Sequence, residues 1–315
     1  MSVLIQIGRL NTAIILSSSD QMHTQSGEVI VSLQKMQSKS LQNFAAIPKH
    51  KQGANMAHRL ENQVAIITGA SRGIGLAIAQ AYAAEGAKLC LIATDQQRLT
   101  EVKQSLGLAE DRIMTLAVNV TDRDACFDAV AKVTQHFGRV DVLVNNAGVY
   151  RSKTFLDYSP QDFQDMLDVN LFGVLNFMQA CLPGMQERRH GRIVNMASTA
   201  GKWGSRNQSA YNVSKHAVVG VTRCVALEAS PFAVTVNAIC PGFIQTDMVE
   251  ELKAQVAQTT GVSPEDMVKA ALTRVPLGRV LNPSEIAGLA VYLGSAESSG
   301  MTGQSIHVDG GMVLS

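Results

Sequence analysis

From residue 62 onward, the chain alternates short apolar runs with longer segments in which apolar residues recur at helical spacing. Short runs that are apolar on both faces are typical of strands buried in a parallel sheet. Strands are predicted at Val64–Thr68, Lys88–Ala93, Ile113–Val118, Val140–Val144, Arg192–Met196, Val234–Ile239 and Gln304–Val308. The segments between them predict helices on both faces. We therefore expect a single α/β domain with a Rossmann-like, doubly wound parallel sheet of about seven strands.

The first 58 residues show no sustained helical or strand period. Their apolar stretch is broken by polar residues and no basic residue precedes it, which argues against a secretory signal. Many serines and few acids resemble an organelle transit peptide, but the segment holds a single arginine, Arg9. We expect residues 1–58 to be a disordered extension, with Met56 as an alternative start, and residues 59–315 to form the folded domain.

Composition excludes several classes of protein. The 27 basic and 26 acidic side chains leave a net charge of +1, so nucleic acid is not expected as a partner. No window is apolar for the ~20 residues that a membrane span needs. The five cysteines are scattered without a Cys-x-x-Cys pair, and no His, Cys and acid cluster indicates a metal site. This cysteine pattern favours a reducing compartment, and we expect the cytoplasm.

The strongest local motif follows the first predicted strand and opens a helix. It reads Thr68-Gly69-Ala70-Ser71-Arg72-Gly73-Ile74-Gly75. Glycines at such a turn let the backbone approach a pyrophosphate, which the N–H groups at the helix N-terminus attract. The spacing differs from the common G-x-G-x-x-G because Ile78 stands where a third glycine would be. A tight strand–helix turn without a ligand is the alternative interpretation.

Further motifs stand at the ends of later strands. They are Asn145-Asn146-Ala147-Gly148, Tyr211-Asn212-Val213-Ser214-Lys215, Pro241-Gly242 and Asp309-Gly310-Gly311. Together with the glycine turn, they resemble the short-chain dehydrogenase/reductase superfamily over residues 60–315. The resemblance implies an oxidoreductase that transfers a hydride between a nicotinamide cofactor and a carbonyl or secondary alcohol.

Tyr211 and Lys215 are four residues apart in a segment of helical spacing, so both side chains lie on one face. A neighbouring ammonium is expected to stabilise the phenolate and to bring its pKa down from about 10 toward working pH. The resemblance makes Tyr211 the acid/base and Ser198 the hydroxyl that orients the substrate carbonyl. It gives Asn170 the role of holding a water in a proton relay to Lys215. A chance pair on an amphipathic helix, and a turn serine, are the structural alternatives.

The resemblance also implies the residues that bind the cofactor. Besides Tyr211 and Lys215, they are Gly69, Ser71, Arg72, Gly73, Ile74, Gly75, Thr94, Asn119, Val120, Asn145, Ala147, Gly148, Pro241, Gly242, Ile244 and Thr246.

The end of the second strand bears on the choice between NADP(H) and NAD(H). An acid there would bind the ribose 2′-hydroxyl and repel a 2′-phosphate, whereas an arginine would bind the phosphate. The resemblance makes Ala93 the diagnostic position, which is uncharged, and Arg72 can meet a 2′-phosphate. Asp95 lies 20 residues beyond Gly75, where the ribose acid is often found, but we interpret it as a helix cap. NADP(H) is therefore expected over NAD(H).

The substrate is less constrained. The motif set resembles 3-oxoacyl reductases and other ketoreductases, so an acyl-thioester or small carbonyl substrate is expected. An NAD(H)-dependent acetoin, butanediol or polyol dehydrogenase remains the alternative, and a catalytically idle scaffold a remote one. The segment from Phe243 to Arg274 is expected to be mostly helical and to cover the substrate. Trp203 could flank the substrate or serve packing. The resemblance also implies a homotetramer, with interfaces on helices near residues 160–185 and 209–229.

Overall fold

The computed structural model describes residues 58–246, 249–250, 253 and 263–314. The expectations for residues 1–57, including an alternative start at Met56, lie outside the described residues. So does most of the predicted cover between Phe243 and Ser263. The described residues belong to one compact unit, Asn55–Ser315.

The sheet contains seven parallel strands, as predicted. They are β1 (Val64–Thr68), β2 (Lys88–Ala93), β3 (Ile113–Ala117), β4 (Val142–Asn145), β5 (Gly191–Met196), β6 (Val234–Pro241) and β7 (Ser305–Val308). Their order across the sheet is β3-β2-β1-β4-β5-β6-β7. The order reverses between β1 and β4, which makes that point the topological switch of a doubly wound sheet. The predicted strand bounds differ from these by at most two residues.

Eight helices are resolved among the described residues. They are α1 (Gly73–Ala84), α2 (Gln96–Leu106), α3 (Arg123–Phe137), α4 (Pro160–Leu167), α5 (Gly173–Arg188), α6 (Ser209–Ala229), α7 (Pro264–Leu272) and α8 (Pro283–Gly294). A π-helical turn, Asp168–Phe172, joins α4 to α5.

The helices form two layers because the strands are apolar on both faces. On one face, α3, α5 and α6 bury residues such as Val133, Phe177 and Val218 against the sheet. On the other, α1, α2 and α8 bury Ile78, Leu99 and Ile286. Covering both faces leaves the carboxyl edge of the strands as the place where loops can hold a ligand.

Candidate active site

A cavity of about 650 Å³ lies at the carboxyl edge of the sheet. Its walls come from the loops that follow the first six strands, and include Gly69, Thr94, Asn119, Ala147 and Gly242. This is the crevice in which open α/β sheets bind their ligands.

The glycine turn after β1 is bound tightly to the loop after β4. The Thr68 Oγ1 accepts hydrogen bonds from the backbone N–H groups of Asn146 and Ala147, both at 3.0 Å. A Cβ added to Gly69 would lie 2.9 Å from the Ala147 Cα, and the φ of Gly69 is +65°. A residue with a side chain would therefore be strained here and would separate the two loops.

Gly75 serves packing rather than ligand contact. A Cβ at this position would lie 2.2 Å from the carbonyl oxygen of Gly69. Gly75 does not line the cavity, whereas Gly69, Gly73 and Ile74 do. The glycine is thus needed so that α1 can begin close under the turn.

The first turn of α1 faces the cavity and suits a phosphate. Arg72 is the N-cap residue of α1, and its side chain makes no capping hydrogen bond to the helix. The first N–H groups of a helix attract anions, and Arg72, Gly73 and Ile74 all line the cavity at this point. The residues present therefore fit the pyrophosphate of a dinucleotide.

The end of β2 carries no acid toward the cavity. Ala93 and Thr94 line it, and both lack charge. Asp95 is the N-cap of α2, where its carboxylate accepts a hydrogen bond of 3.0 Å from the Arg98 N–H. This geometry agrees with the interpretation of Asp95 as a helix cap.

At the opposite end of the cavity, α6 presents Tyr211 and Lys215 one turn apart. The Lys215 Nζ lies 5.7 Å from the centre of the Tyr211 ring and donates a hydrogen bond of 2.8 Å to the Met196 carbonyl. Ser198, just after β5, lines the cavity beside them, and its Oγ accepts a bond of 3.1 Å from the Ala200 N–H. The structure thus brings together three of the predicted catalytic side chains.

Burial dominates the electrostatics of this group. It raises the pKa of the Tyr211 phenol above its usual value, and a hydrogen bond with Ser198 only partly offsets the rise. Burial lowers the pKa of Lys215 to about 8. The pKa of Tyr211 is therefore raised, not lowered as expected, because the loss of hydration outweighs the hydrogen bond with Ser198.

Asn170 lies in the π-helical turn between α4 and α5, a geometry that is frequent at functional sites. Its side chain is fully buried. The Oδ1 accepts a bond of 2.8 Å from the Val149 N–H, and the Nδ2 donates to the Val149 carbonyl and to the Ser214 Oγ, both at 3.0 Å. The amide therefore connects the loop after β4 to α6, which carries Tyr211.

Most of the predicted cofactor residues line the cavity. The set comprises Gly69, Ser71, Arg72, Gly73, Ile74, Thr94, Asn119, Val120, Ala147, Gly148, Tyr211, Lys215, Pro241, Gly242, Ile244 and Thr246. Asn145 does not. Its buried side chain donates a bond of 2.9 Å to the Asn195 Oδ1 inside the sheet. The neighbouring Asn146 lines the cavity instead.

Comparisons with known proteins agree with this geometry. The family model described as enoyl-(acyl carrier protein) reductase matches residues 69–313. The 3-oxoacyl-[acyl-carrier-protein] reductase FabG of Thermotoga maritima is 41% identical over 257 residues, which are 81% of this chain and all of that protein. This chain belongs to the short-chain dehydrogenase/reductase superfamily.

Two further proteins to which the chain is similar are named as reductases. The short-chain reductase NovJ of Streptomyces niveus is 38% identical, covering 80% of this chain and 94% of that protein. The crystal structure of levodione reductase superposes with a TM-score of 0.75 and 31% identity, covering 80% of this chain and 97% of that one. Membership in this oxidoreductase superfamily accounts for the combination of a dinucleotide cavity with Ser198, Tyr211 and Lys215.

Several residues of this short-chain dehydrogenase/reductase reach the cavity without having been predicted to do so. They include Asn146, Val149, Tyr150, Met267, Ala271 and Met312. Tyr150 packs edge-on against Tyr211, with ring centres 5.0 Å apart. Burial raises the pKa of the Tyr150 phenol to about 12. An aromatic residue directly after Asn-Asn-Ala-Gly-Val was the available signal for it.

Within the described ranges, the short-chain dehydrogenase/reductase has no helix long and apolar enough to cross a membrane. Over the same residues, no group of His, Cys, Asp and Glu is suitably placed to hold a metal ion.

Proposed function

We propose that this protein reduces a ketone with NADPH, and that the ketone is a 3-oxoacyl thioester or a close analogue. The observation that carries the proposal is the convergence of Ser198, Tyr211 and Lys215 at one end of a cavity whose other end suits a dinucleotide. Bound NADPH supplies the hydride for the carbonyl carbon.

Tyr211 is the proposed proton donor to the carbonyl oxygen. Because its pKa is raised, the phenol stays protonated throughout the physiological range and can donate before or during the reaction. The Ser198 hydroxyl, which lies beside the phenol, holds the same oxygen and polarises the carbonyl. The two hydroxyls together fix which face of the carbonyl meets the cofactor.

Lys215 has two proposed roles. Its ammonium stabilises the phenolate that remains after proton transfer, and its Nζ is placed to bind the nicotinamide ribose. Gly148 supports the second role, because a Cβ there would lie 3.6 Å from the Lys215 Nζ and 3.1 Å from the Asn170 Oδ1. The glycine keeps this space open. Asn170 is proposed to hold a water in the proton relay to Lys215, and its bonds to Val149 and Ser214 fix the amide between the loop after β4 and α6.

Arg72 and the uncharged end of β2 support the preference for NADP(H). Arg72 lines the cavity together with Ala93 and Thr94, while the Asp95 carboxylate is engaged in capping α2. A guanidinium beside an uncharged strand end favours a 2′-phosphate. Preference for NADH would indicate the alternative, an acetoin, butanediol or polyol dehydrogenase.

The relatives support the substrate class. Relatives at 41% and 37% identity are named 3-oxoacyl-[acyl-carrier-protein] reductases. The test is a substrate screen with NADPH and NADH in parallel. Acetoacetyl-N-acetylcysteamine, diacetyl and a sugar alcohol represent the competing functions, and a crotonyl thioester tests enoyl reduction. We expect the acetoacetyl thioester with NADPH to be turned over best. Absence of turnover with any 3-oxoacyl thioester would overturn the proposal.

The proposal includes a homotetramer in the cytoplasm. Phe172, Val213 and Leu227 support subunit contacts, because these large apolar residues on or beside α5 and α6 are exposed. All five cysteines are free, which suits a reducing compartment. Light scattering of the purified protein tests the tetramer, and a monomeric mass would contradict it.

A further inference from the structure

The rim of the cavity carries a cation–aromatic pair. The Arg274 guanidinium carbon lies 3.8 Å from the centre of the Trp203 ring. Trp203 comes from the loop after β5, and Arg274 from the turn that ends α7. Both line the same cavity as Tyr211. Two segments distant in sequence therefore meet at its substrate end.

One face of α7 directs Arg274 toward the cavity. Met267 and Ala271, four residues apart on one face of α7, line it together with Arg274, which lies in the turn just after the helix. Tight backbone bonds end the helix there, with the Arg274 N–H donating to the Ala271 carbonyl at 3.1 Å. The backbone of Arg274 is thus held beside the cavity by the turn that ends α7.

The charged side chains that line the cavity are all basic. Among the described residues that line it, the cations are Arg72, Lys215 and Arg274, and no aspartate or glutamate is present. A dinucleotide places its phosphates at the glycine turn and its ribose at Lys215, which accounts for the first two. Arg274 has no ion pair with any described carboxylate. Its guanidinium lies on the Trp203 ring and lines the same cavity as Tyr211.

Stacking leaves the donors of Arg274 available. A guanidinium bound through its flat face to an indole still presents its N–H groups at the edge, and the stack limits the orientations it can take. That arrangement suits a carboxylate or phosphate, which accepts two parallel hydrogen bonds from one guanidinium.

We propose that Arg274, held on Trp203, binds an oxyanion of the substrate at the rim of the cavity. The preferred substrate is then a ketone that carries a carboxylate or a phosphate, such as a free 3-oxo acid or a thioester of a phosphorylated carrier arm. This proposal rests on the proposed function and narrows its substrate class.

Trp203 is the only tryptophan in the sequence, so intrinsic fluorescence reports on this site directly. The protein saturated with NADP⁺ is titrated with acetoacetate, 4′-phosphopantetheine, neutral pantetheine and ethyl acetoacetate. We expect a saturable change in Trp203 emission with at least one of the two anions and a much weaker response to both neutral compounds. Acetoacetate responding alone identifies a carboxylate, and 4′-phosphopantetheine responding alone identifies a phosphate. Equal responses to charged and neutral compounds would overturn the proposal.

The Arg274→Gln variant removes the charge and keeps a polar side chain of similar length. We expect its half-saturation concentration for the responding anion, and its KM for the matching charged ketone, to rise about tenfold. Arg274→Lys should show an intermediate rise, because it retains charge without the planar fork. Lys269→Gln is the matched control, because Lys269 is an exposed cation on the same helix outside the cavity wall.

Turnover of acetoacetyl-N-acetylcysteamine, which is uncharged, separates the two proposals. If the wild type and Arg274→Gln reduce it equally well, the variant is folded and the proposed function stands whatever the titration shows. An unchanged KM of Arg274→Gln for the charged ketones would then refute the oxyanion site alone. If no ketone is turned over, the proposed function fails, while the fluorescence titration still tests binding.

Discussion

The two ends of the cavity are built in different ways. At the nucleotide end, the glycine turn, the first turn of α1 and the loop after β4 present several glycines and backbone N–H groups, with Arg72 as the charged side chain. At the reacting end, Tyr211, Lys215, Trp203 and Arg274 project from three separate segments. Backbone recognition suits the pyrophosphate that NAD(H) and NADP(H) share, whereas the side chains at the reacting end are those proposed to select and transform a substrate. Changes at the two ends should therefore have separable effects.

The largest expected effect is at the reacting end. Tyr211→Phe removes the proposed proton donor but keeps the ring that packs against Tyr150. We expect kcat to fall about 10³-fold, since a positioned general acid contributes on that order. NADPH affinity, measured by fluorescence titration, should change less than about twofold by the same reasoning, because the phenol is not a phosphate ligand. Retained turnover would show that another group supplies the proton.

An added methyl group at the nucleotide end should instead weaken the binding of NADPH. In Gly75→Ala, the new Cβ would lie 2.2 Å from the Gly69 carbonyl oxygen and must displace the glycine turn. We expect a loss of about 2 kcal/mol of unfolding free energy and a rise of at least about tenfold in the NADPH Kd. Calorimetry and cofactor titration measure the two. Gly288→Ala is the control, because a Cβ there meets nothing within 4 Å.

The pH dependence sharpens the account of the reacting end. In the free enzyme, the pKa of Lys215 is about 8 while that of Tyr211 is raised above its usual value. As pH rises through about 8, the ammonium is lost before the phenol ionises. We expect kcat/KM for ketone reduction to be level below that pH and to fall up to about tenfold per unit above it.

The matched variant for this pH profile is Lys215→Arg, whose guanidinium stays charged. Its profile should lose the inflection near pH 8, even though its absolute activity is lower. An unchanged inflection in the variant would assign that titration to another group.

A smaller effect is expected from changes at residues near the 2′-phosphate, the group that NADPH has and NADH lacks. Arg72→Ala should raise the KM for NADPH about tenfold and leave the KM for NADH nearly unchanged, because only NADPH carries the 2′-phosphate. Asp95→Ala is the comparison. It should cost about 1 kcal/mol of unfolding free energy through the lost cap on α2 and leave the cofactor preference as it was. A switch of preference in Asp95→Ala would show that the carboxylate reads the ribose.

The same contrast explains how much could be predicted from the sequence. The seven strands and the glycine turn depend on short-range patterns, namely buried apolar runs and glycines required by a close backbone approach. They could therefore be recognised within a few residues. Tyr211 and Lys215 are one helical turn apart, but that spacing became informative only beside the glycine turn and the Asn-Asn-Ala-Gly motif, which together carry the family resemblance.

The substrate end could not be predicted in this way. Arg274 and Trp203 are 71 positions apart, and they meet only because α7 packs over the loop after β5. Asn145 and Asn146 show the same limit on a smaller scale. Successive side chains along a strand point to opposite faces of the sheet. Asn145, at the end of β4, bonds to Asn195 on the neighbouring strand, whereas Asn146 lines the cavity. The sequence motif alone does not reveal which of the two reaches the cavity.

The most direct test is a crystal structure of this protein with NADP⁺ bound. The account predicts the pyrophosphate at the first turn of α1 and the nicotinamide beside Lys215. It predicts a gap between the nicotinamide C4 and the Tyr211 Oη that one carbonyl group can fill. A dinucleotide bound elsewhere, or a Tyr211 phenol turned away from the nicotinamide, would contradict it.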